Sequence, residues 1–435
     1  MLNAYRIELR RSPLLTAFPV MIAVDLVVLF GRSRYWIGVW PEASVAAQVG
    51  TLFLGSVLAG VSAWQAGRAS RAKMPEFLLG AARPGWRIEA VRLAATLTLG
   101  FLAYGAGCLV AAAVSFRDAG PGFLWPSYLL LGASTLIIFA SVGHLAGRWW
   151  PSAGFTPVVC ALGCFISMLA LPFKFDVLAG PPDTHLRPLP VALRLLWALA
   201  FAVLAVTAPA RRSRSADDIP LRRMPRHVLG VAVVSAMCCL IAVAAVSAAG
   251  ELSVQRPASA VTPLCDRADE GAPRVCVWPE HRKYLPDLTR MAQRLGQTAT
   301  AQPGVEVPAG FSEFGLHRTM LGDRGFDITE GHVRTAAIAM AHDVFTASFG
   351  QCRPPRTESR AWQAIDNLQL WLEYRSMGQD PATADQGIHT EGASEAQREA
   401  SGAARMSSAE QEKWVAREHT HLLRDPSWCK PREPR

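Results

Sequence analysis

Up to about residue 250 the chain alternates long apolar runs with short arginine-rich segments; beyond it, apolar positions recur at helix or strand spacing among charged residues. A helix needs roughly 20 mostly apolar residues to cross the hydrocarbon core of a bilayer. Seven runs approach that length, at 13–30, 45–66, 93–114, 127–146, 153–171, 191–208 and 228–249. The pattern predicts an α-helical polytopic membrane domain over 1–250, followed by a mixed, mainly helical α+β soluble domain over 251–435. Charged residues precede the first run as in a signal peptide, but no small-residue cleavage pattern follows and further spans come soon after. It reads as an uncleaved first helix.

In the second part, Arg274 to Trp278 (RVCVW) is a short β-branched run and predicts a strand. Leu285, Leu288, Ala292 and Leu295 fall at helical spacing, with Pro286 in the first turn and Gly296 as the expected stop. A second helix is expected over 332–349 on Val333, Ala337, Met340, Ala341 and Val344. A third carries Trp362, Ile365, Leu368 and Trp371 or Leu372. The stretch 377–406 is rich in small and polar residues and reads as a flexible segment, because it has little apolar surface to offset its ordering entropy. Ser408 with Gln411 resembles a capping box, and a last helix follows through Leu423.

Charge settles the expected orientation. The formal net charge is +9. The basic residues of the first part cluster between apolar runs, which is the placement that orients membrane helices rather than one that grips nucleic acid. With the N-terminus inside, the cytoplasmic segments carry 16 Lys or Arg: Arg6, Arg10 and Arg11, six between 68 and 92, Arg148, and six between 211 and 226. The opposite loops carry five (Arg32, Arg34, Arg117, Lys174 and Arg187), or six with Arg194. Seven spans then place the C-terminal domain outside the plasma membrane. Arginine outnumbers lysine 39 to 5, which hints at a GC-rich bacterial genome.

Of nine cysteines, Cys108, Cys160, Cys164, Cys238 and Cys239 lie in apolar runs and read as small hydrophobes. Cys265, Cys276, Cys352 and Cys429 lie in the soluble part, an even count that suits two disulfides in an oxidising compartment. Four cysteines allow three pairings. Cys265 with Cys276 is favoured because the two flank a short turn beside a strand, which leaves Cys352 with Cys429.

Enzyme chemistry is not expected on this chain. It has no Gly-Lys pair for a phosphate-cradling loop, no HExxH and no GxSxG. His281, His317, His332, His342, His389, His419 and His421 have no partner at metal-ligand spacing, so no metal or cofactor is expected. Asp25 is the one carboxylate inside a predicted span, where a charge costs roughly 2.5 to 3.5 kcal/mol at the bilayer centre. It is either a functional intramembrane group or an interfacial residue paired with Arg32 or Arg34. Gln48, Gln65 and His144 lie near span ends and read as interfacial or helix-packing residues.

The segment between the second and third spans reads GRASRAKMPEFLLGAARP, then GWRIEAVR. It resembles the first cytoplasmic loop of ABC-2 type permeases: a charged stretch, a short amphipathic helix around an E-x-L-L-like core, a small-residue/Arg/Pro turn, and a basic lead-in to the next span. MLNAYRIELRRSPLL is similar to that family's interfacial helix before the first span. The resemblance covers roughly residues 1–210 and implies that Glu76, Phe77 and Leu78 dock on a separate ATPase subunit. It also implies a second permease subunit or a homodimer, because such permeases work as two six-span units. The seventh span and the external domain depart from the family pattern. GAPRVCVWPEH and the helix after it resemble an uncharacterised C-terminal domain found on membrane proteins of high-GC bacteria. The expected function is a permease-like subunit of an ABC-type exporter. The alternative is a membrane-anchored sensing or immunity protein whose external domain binds a ligand.

Overall fold

The computed structural model describes residues 2–31, 34–71, 85–170, 177–208, 233–234, 237, 251–316, 318–319, 322–323, 325–350, 359–378, 395–426 and 428. They form two compact units, Met1–Val254 and Gln255–Arg435.

The first unit is a helix bundle. A short helix α1 (Leu2–Arg10) precedes α2 (Leu14–Gly31); α3 (Trp40–Val49) runs through Gly50 into α4 (Thr51–Arg71). There follow α5 (Gly85–Ser115), α6 (Pro126–Trp149), α7 (Phe155–Ala170), a short strand β1 (Thr184–Leu186) and α8 (Pro188–Thr207). Among the described residues five stretches are long and apolar enough to cross a membrane: Leu14–Gly31, Trp40–Arg68, Gly85–Ser115, Pro126–Trp149 and Pro188–Thr207. α7 is apolar but has 16 residues. The expected run at 228–249 lies almost wholly outside the described residues.

Two helices begin earlier than their apolar runs. The second stretch starts at Trp40 rather than 45, because Pro41 sits in its first turn, where a missing N–H costs nothing. The third starts at Gly85 rather than 93, because its first two turns are held by polar contacts rather than by apolar burial.

The outward faces are apolar, the reverse of a helix packed in water. Val20 and Val27 of α2, Leu102 and Leu109 of α5, Leu162 and Ile166 of α7, and Leu196 and Leu199 of α8 are all exposed. This is the build of a helical membrane protein.

Small residues hold the bundle together. A Cβ added at Gly143 of α6 would lie 1.9 Å from the carbonyl oxygen of Ala59 of α4, and one at Gly147 would lie 2.1 Å from that of Ala63. The two helices therefore meet backbone to backbone through a Gly-x-x-x-Gly face on an Ala-x-x-x-Ala face. Where lipid tails are as apolar as leucine, such close approach supplies the attraction that the hydrophobic effect supplies in water.

After a short strand β2 (Ser253–Gln255), the described residues of the second unit are built around a small sheet and five α-helices. β3 (Leu264–Asp266) pairs antiparallel with β4 (Arg274–Val277), and β4 pairs parallel with β5 (Gly310–Ser312), as the RVCVW run predicts for β4. The helices are α9 (Leu285–Ala301), α10 (Val333–Phe349), α11 (Arg360–Met377), α12 (Glu395–Ala404) and α13 (Ser408–Leu423). Trp371, Phe345, Phe349, Leu368 and Trp278 are fully buried. α11 is capped at both ends: the Ser359 hydroxyl accepts from Trp362 N at 3.1 Å, and Gly378 closes it in the left-handed region at φ 62°.

Three expectations for this unit need correction. Gly296 does not stop α9, which continues to Ala301; the glycine lies against Pro273, where a Cβ would be only 3.3 Å from the ring, so it serves close packing. The capping box is Ser407 with Glu410, one residue earlier than Ser408 with Gln411. Gln411 is buried and donates to the carbonyls of Ala404 and Met406, while the Ser407 hydrogen bonds hold the exposed Glu410 carboxyl below its ordinary range. Finally, the stretch 377–406 includes α12; Ala400 and Ala403 are buried on its inner face, small enough for α12 to lie closely on α11. Glu399 also accepts from Asn367 of α11 at 2.6 Å. Residues 379–394 of that stretch lie outside the described residues.

Candidate functional site

Several ionisable side chains of the bundle meet at the end where α1 lies. Tyr5 of α1 reaches Thr98 of α5 at 2.8 Å, which lays α1 along α5. From the same helix, Glu8 sits 3.6 Å from Arg68 at the end of α4 and 3.7 Å from Arg92 in α5. Arg92 donates to Glu89 at 2.9 Å, and the other Glu89 oxygen lies 3.1 Å from Nε2 of His144 in α6. Arg148, one turn beyond His144, donates to the carbonyls of Ala205 and Val206 at 2.7 and 2.8 Å, satisfying acceptors that the end of α8 leaves open. His144 is 1 % exposed and Arg92 8 % exposed, so the network runs from the more exposed Arg68 and Glu8 into the interior.

A neutral layer lies beside it. Gln65 of α4 donates to Ser12 Oγ at 3.0 Å and accepts from Thr96 of α5 at 3.0 Å. Gln65 and His144 are thus packing residues, as expected of them, and His144 is in addition an ionic partner. The sequence reading missed the network itself. Its signal was present as Glu89-x-x-Arg92 and His144-x-x-x-Arg148, two same-face pairs at the α1 end of consecutive apolar helices.

Two further polar features lie inside the bundle. Arg194 of α8 is buried and donates to the hydroxyls of Ser134 and Thr135 in α6 at 3.1 and 3.0 Å. Asp25 of α2 is 3 % exposed. Its oxygens press on glycine backbone of two neighbours: a Cβ at Gly50 would lie 1.9 Å from Oδ1, and one at Gly107 of α5 would lie 1.9 Å from Oδ2. Among the described residues Asp25 has no ion-pair partner, Arg34 included; Arg32 lies outside them. An apolar cavity of about 400 Å³ opens between α6, α7 and α8, lined by Phe139, Cys160, Cys164, Trp197 and Phe201 among others.

The remaining expected site residues divide. Glu76, Phe77 and Leu78 lie outside the described residues, as do Cys352 and Cys429. Cys265 and Cys276 are directly opposed across β3 and β4 and form a disulfide.

In the second unit, His281 is buried with its Nδ1 2.6 Å from Glu313, whose other oxygen accepts from Trp278 N at 2.9 Å. This pair ties the turn after β4 to the end of β5. Among the described residues no group of three or more His, Cys, Asp or Glu is placed to hold a metal.

Residues 275–424 match a domain of unknown function, DUF7224. The match spans β4 to α13, which comprises most of the second unit and none of the bundle. No curated protein and no solved structure matches the chain. The disulfide half-cystine Cys276 lies inside the DUF7224 match, whereas its partner Cys265 precedes it.

Proposed function

We propose that the chain is the permease-like membrane subunit of an ABC-type exporter, driven by ATPase subunits on a separate chain. The observation that carries this reading is the position of Glu8. It links α1 to Arg68 and Arg92, which stand on the two helices flanking the 72–84 loop. A push on that loop is delivered to both helices and to α1 together, and then through Glu89 and His144 to α6. A helix pair joined by soft loops alone would not share such a load.

The loop is the segment that resembles the ATPase-docking helix of ABC-2 permeases. Phe77 serves there as the aromatic anchor and Glu76 sets the register, the division of labour that small interfaces commonly show. Replacing Phe77 with Ala should weaken ATPase association by about 2 kcal/mol while sparing membrane insertion. The measurement is co-purification of a candidate stand-alone ATPase with wild type and Phe77→Ala, normalised to inserted protein. Equal recovery would remove the docking role and favour a membrane-anchored sensor.

The same proposal places the N-terminus in the cytoplasm and the second unit outside, after seven crossings. Two features support it. α8 runs from Pro188 to Thr207, yet by Leu252 the chain is back at the first end of that helix, where the Leu252 carbonyl accepts from Arg187 N at 3.0 Å. A helix of that length spans about 30 Å, so Thr207 and Leu252 stand about a bilayer's thickness apart, the distance a seventh crossing would cover. The Cys265–Cys276 disulfide adds a preference for an oxidising compartment. Intact cells treated with a reductant and an impermeant thiol reagent should show label on both cysteines. Label that appears only after permeabilisation would overturn the outward placement.

A further inference from the structure

Asp25 is the feature of the bundle that the exporter reading leaves unused. It lies six residues before the end of α2, about 9 Å along the helix from Gly31. The carboxyl is closed in by backbone: Oδ1 faces Gly50, at the junction of α3 and α4, and Oδ2 faces Gly107 of α5. Any side chain at either glycine would occupy the space of a carboxyl oxygen. The two glycines therefore form a fitted seat, and α2 is keyed into it by this one side chain.

We propose that Asp25 is a proton-binding site, seated between Gly50 and Gly107 as the neutral acid and releasing its proton only when α2 withdraws from them. The chemical step is simple. The O–H bond breaks, its electron pair stays on the carboxylate, and the proton passes to water admitted by the movement of α2. An ionised carboxylate left in the closed seat would be a buried charge with no ionic partner among the described residues, which is costly in an apolar medium. A divalent cation is a poor fit, because it takes six or more oxygens and the seat offers one carboxyl between two glycines.

The surroundings contain little else that titrates. From α5 the facing ionisable groups are Tyr104 and Cys108, a turn apart. α4 carries none before Arg68. On α3 the nearest is Glu42, eight residues or about two turns before Gly50. The proposal requires that α2 cross the bilayer and is independent of any ATPase partner, so it can fail while the exporter reading stands.

The test uses the full chain in lipid nanodiscs, in an Asp366→Asn background because burial pushes that carboxyl up as well. Infrared titration should show a protonated, exchange-protected carboxyl that is absent in Asp25→Asn. Wild type should lose thermal stability as pH rises until the band disappears, and Asp25→Asn should lose none of it over the same interval. Identical pH dependence of the two proteins would overturn the proposal. So would insertion of Asp25→Glu under conditions where Asp25→Asn fails, since that would mean the charge is required. Should both variants fail to insert, ¹³C-aspartate in the Asp366→Asn chain with Asp25 kept decides: a labelled protonated band supports the site and its absence overturns it.

Discussion

The two units solve one problem in two solvents. Each must satisfy its backbone and bury its polar groups in pairs. In the first unit apolar side chains also face outward, and beside a core of large side chains such as Leu54, Leu58 and Tyr128, Gly143 and Gly147 meet the backbone of α4. In the second the large aromatics are inside, with Trp371 and Phe345 fully buried, and helix ends are closed by Ser359, Ser407 and Gly378. The bundle lacks such caps at several helix starts: α3, α6 and α8 begin on a proline turn with no capping side chain. Both units pack large apolar side chains, but close backbone approach adds to this on one side of residue 254, and side-chain caps and a covalent link add to it on the other.

This contrast can be broken by perturbing either side alone. The larger effect belongs to the disulfide. Closing a loop between residues 11 apart in sequence stabilises a fold by about 3 kcal/mol in the chain-entropy account, a large share of the stability of one domain. Cys265→Ser should therefore lower the melting transition of the second unit and leave that of the bundle in place. A shift in both transitions would mean that the units do not keep separate sources of stability. The smaller effect belongs to the glycine seam: Gly143→Ala should cost about 1 to 3 kcal/mol through overpacking, read as loss of bundle stability in detergent. If Gly143→Ala behaved as wild type, the α4–α6 contact would be looser than the 1.9 Å approach to Ala59 allows.

Most helices were legible because their signals are local. The apolar runs at 13–30, 93–114, 127–146 and 191–208 each became a helix, and α10, α11 and α13 fell where their apolar stripes placed them. The misses share a cause, which is that each depended on a partner distant in sequence. Gly296 looked like a stop until Pro273 appeared beside it. α12 has little apolar surface of its own and is ordered by Asn367 and the flat alanine contact with α11. The same holds for the site. Asp25 stood out because a carboxylate in an apolar run is conspicuous, but its glycine seat joins residues 25, 50 and 107. His144 read as an interfacial or packing residue and Glu89 fell in the basic lead-in to the third span, and only the packing of α5 on α6 makes them a pair.

The seam between Gly143 and Ala59 also bears on how the bundle can move. Side chains adjust to small displacements by changing rotamer, and neither partner in this seam has a rotamer to change. α4 and α6 consequently behave as one beam, which transmits rotation from one end to the other without bending at the joint. Slack in the bundle is left to α2, which presses on its neighbours through fewer contacts and carries Pro19, a residue that interrupts the hydrogen-bond ladder of its helix. The mechanical picture is a stiff lever with a compliant flap, and the flap is the helix that carries Asp25.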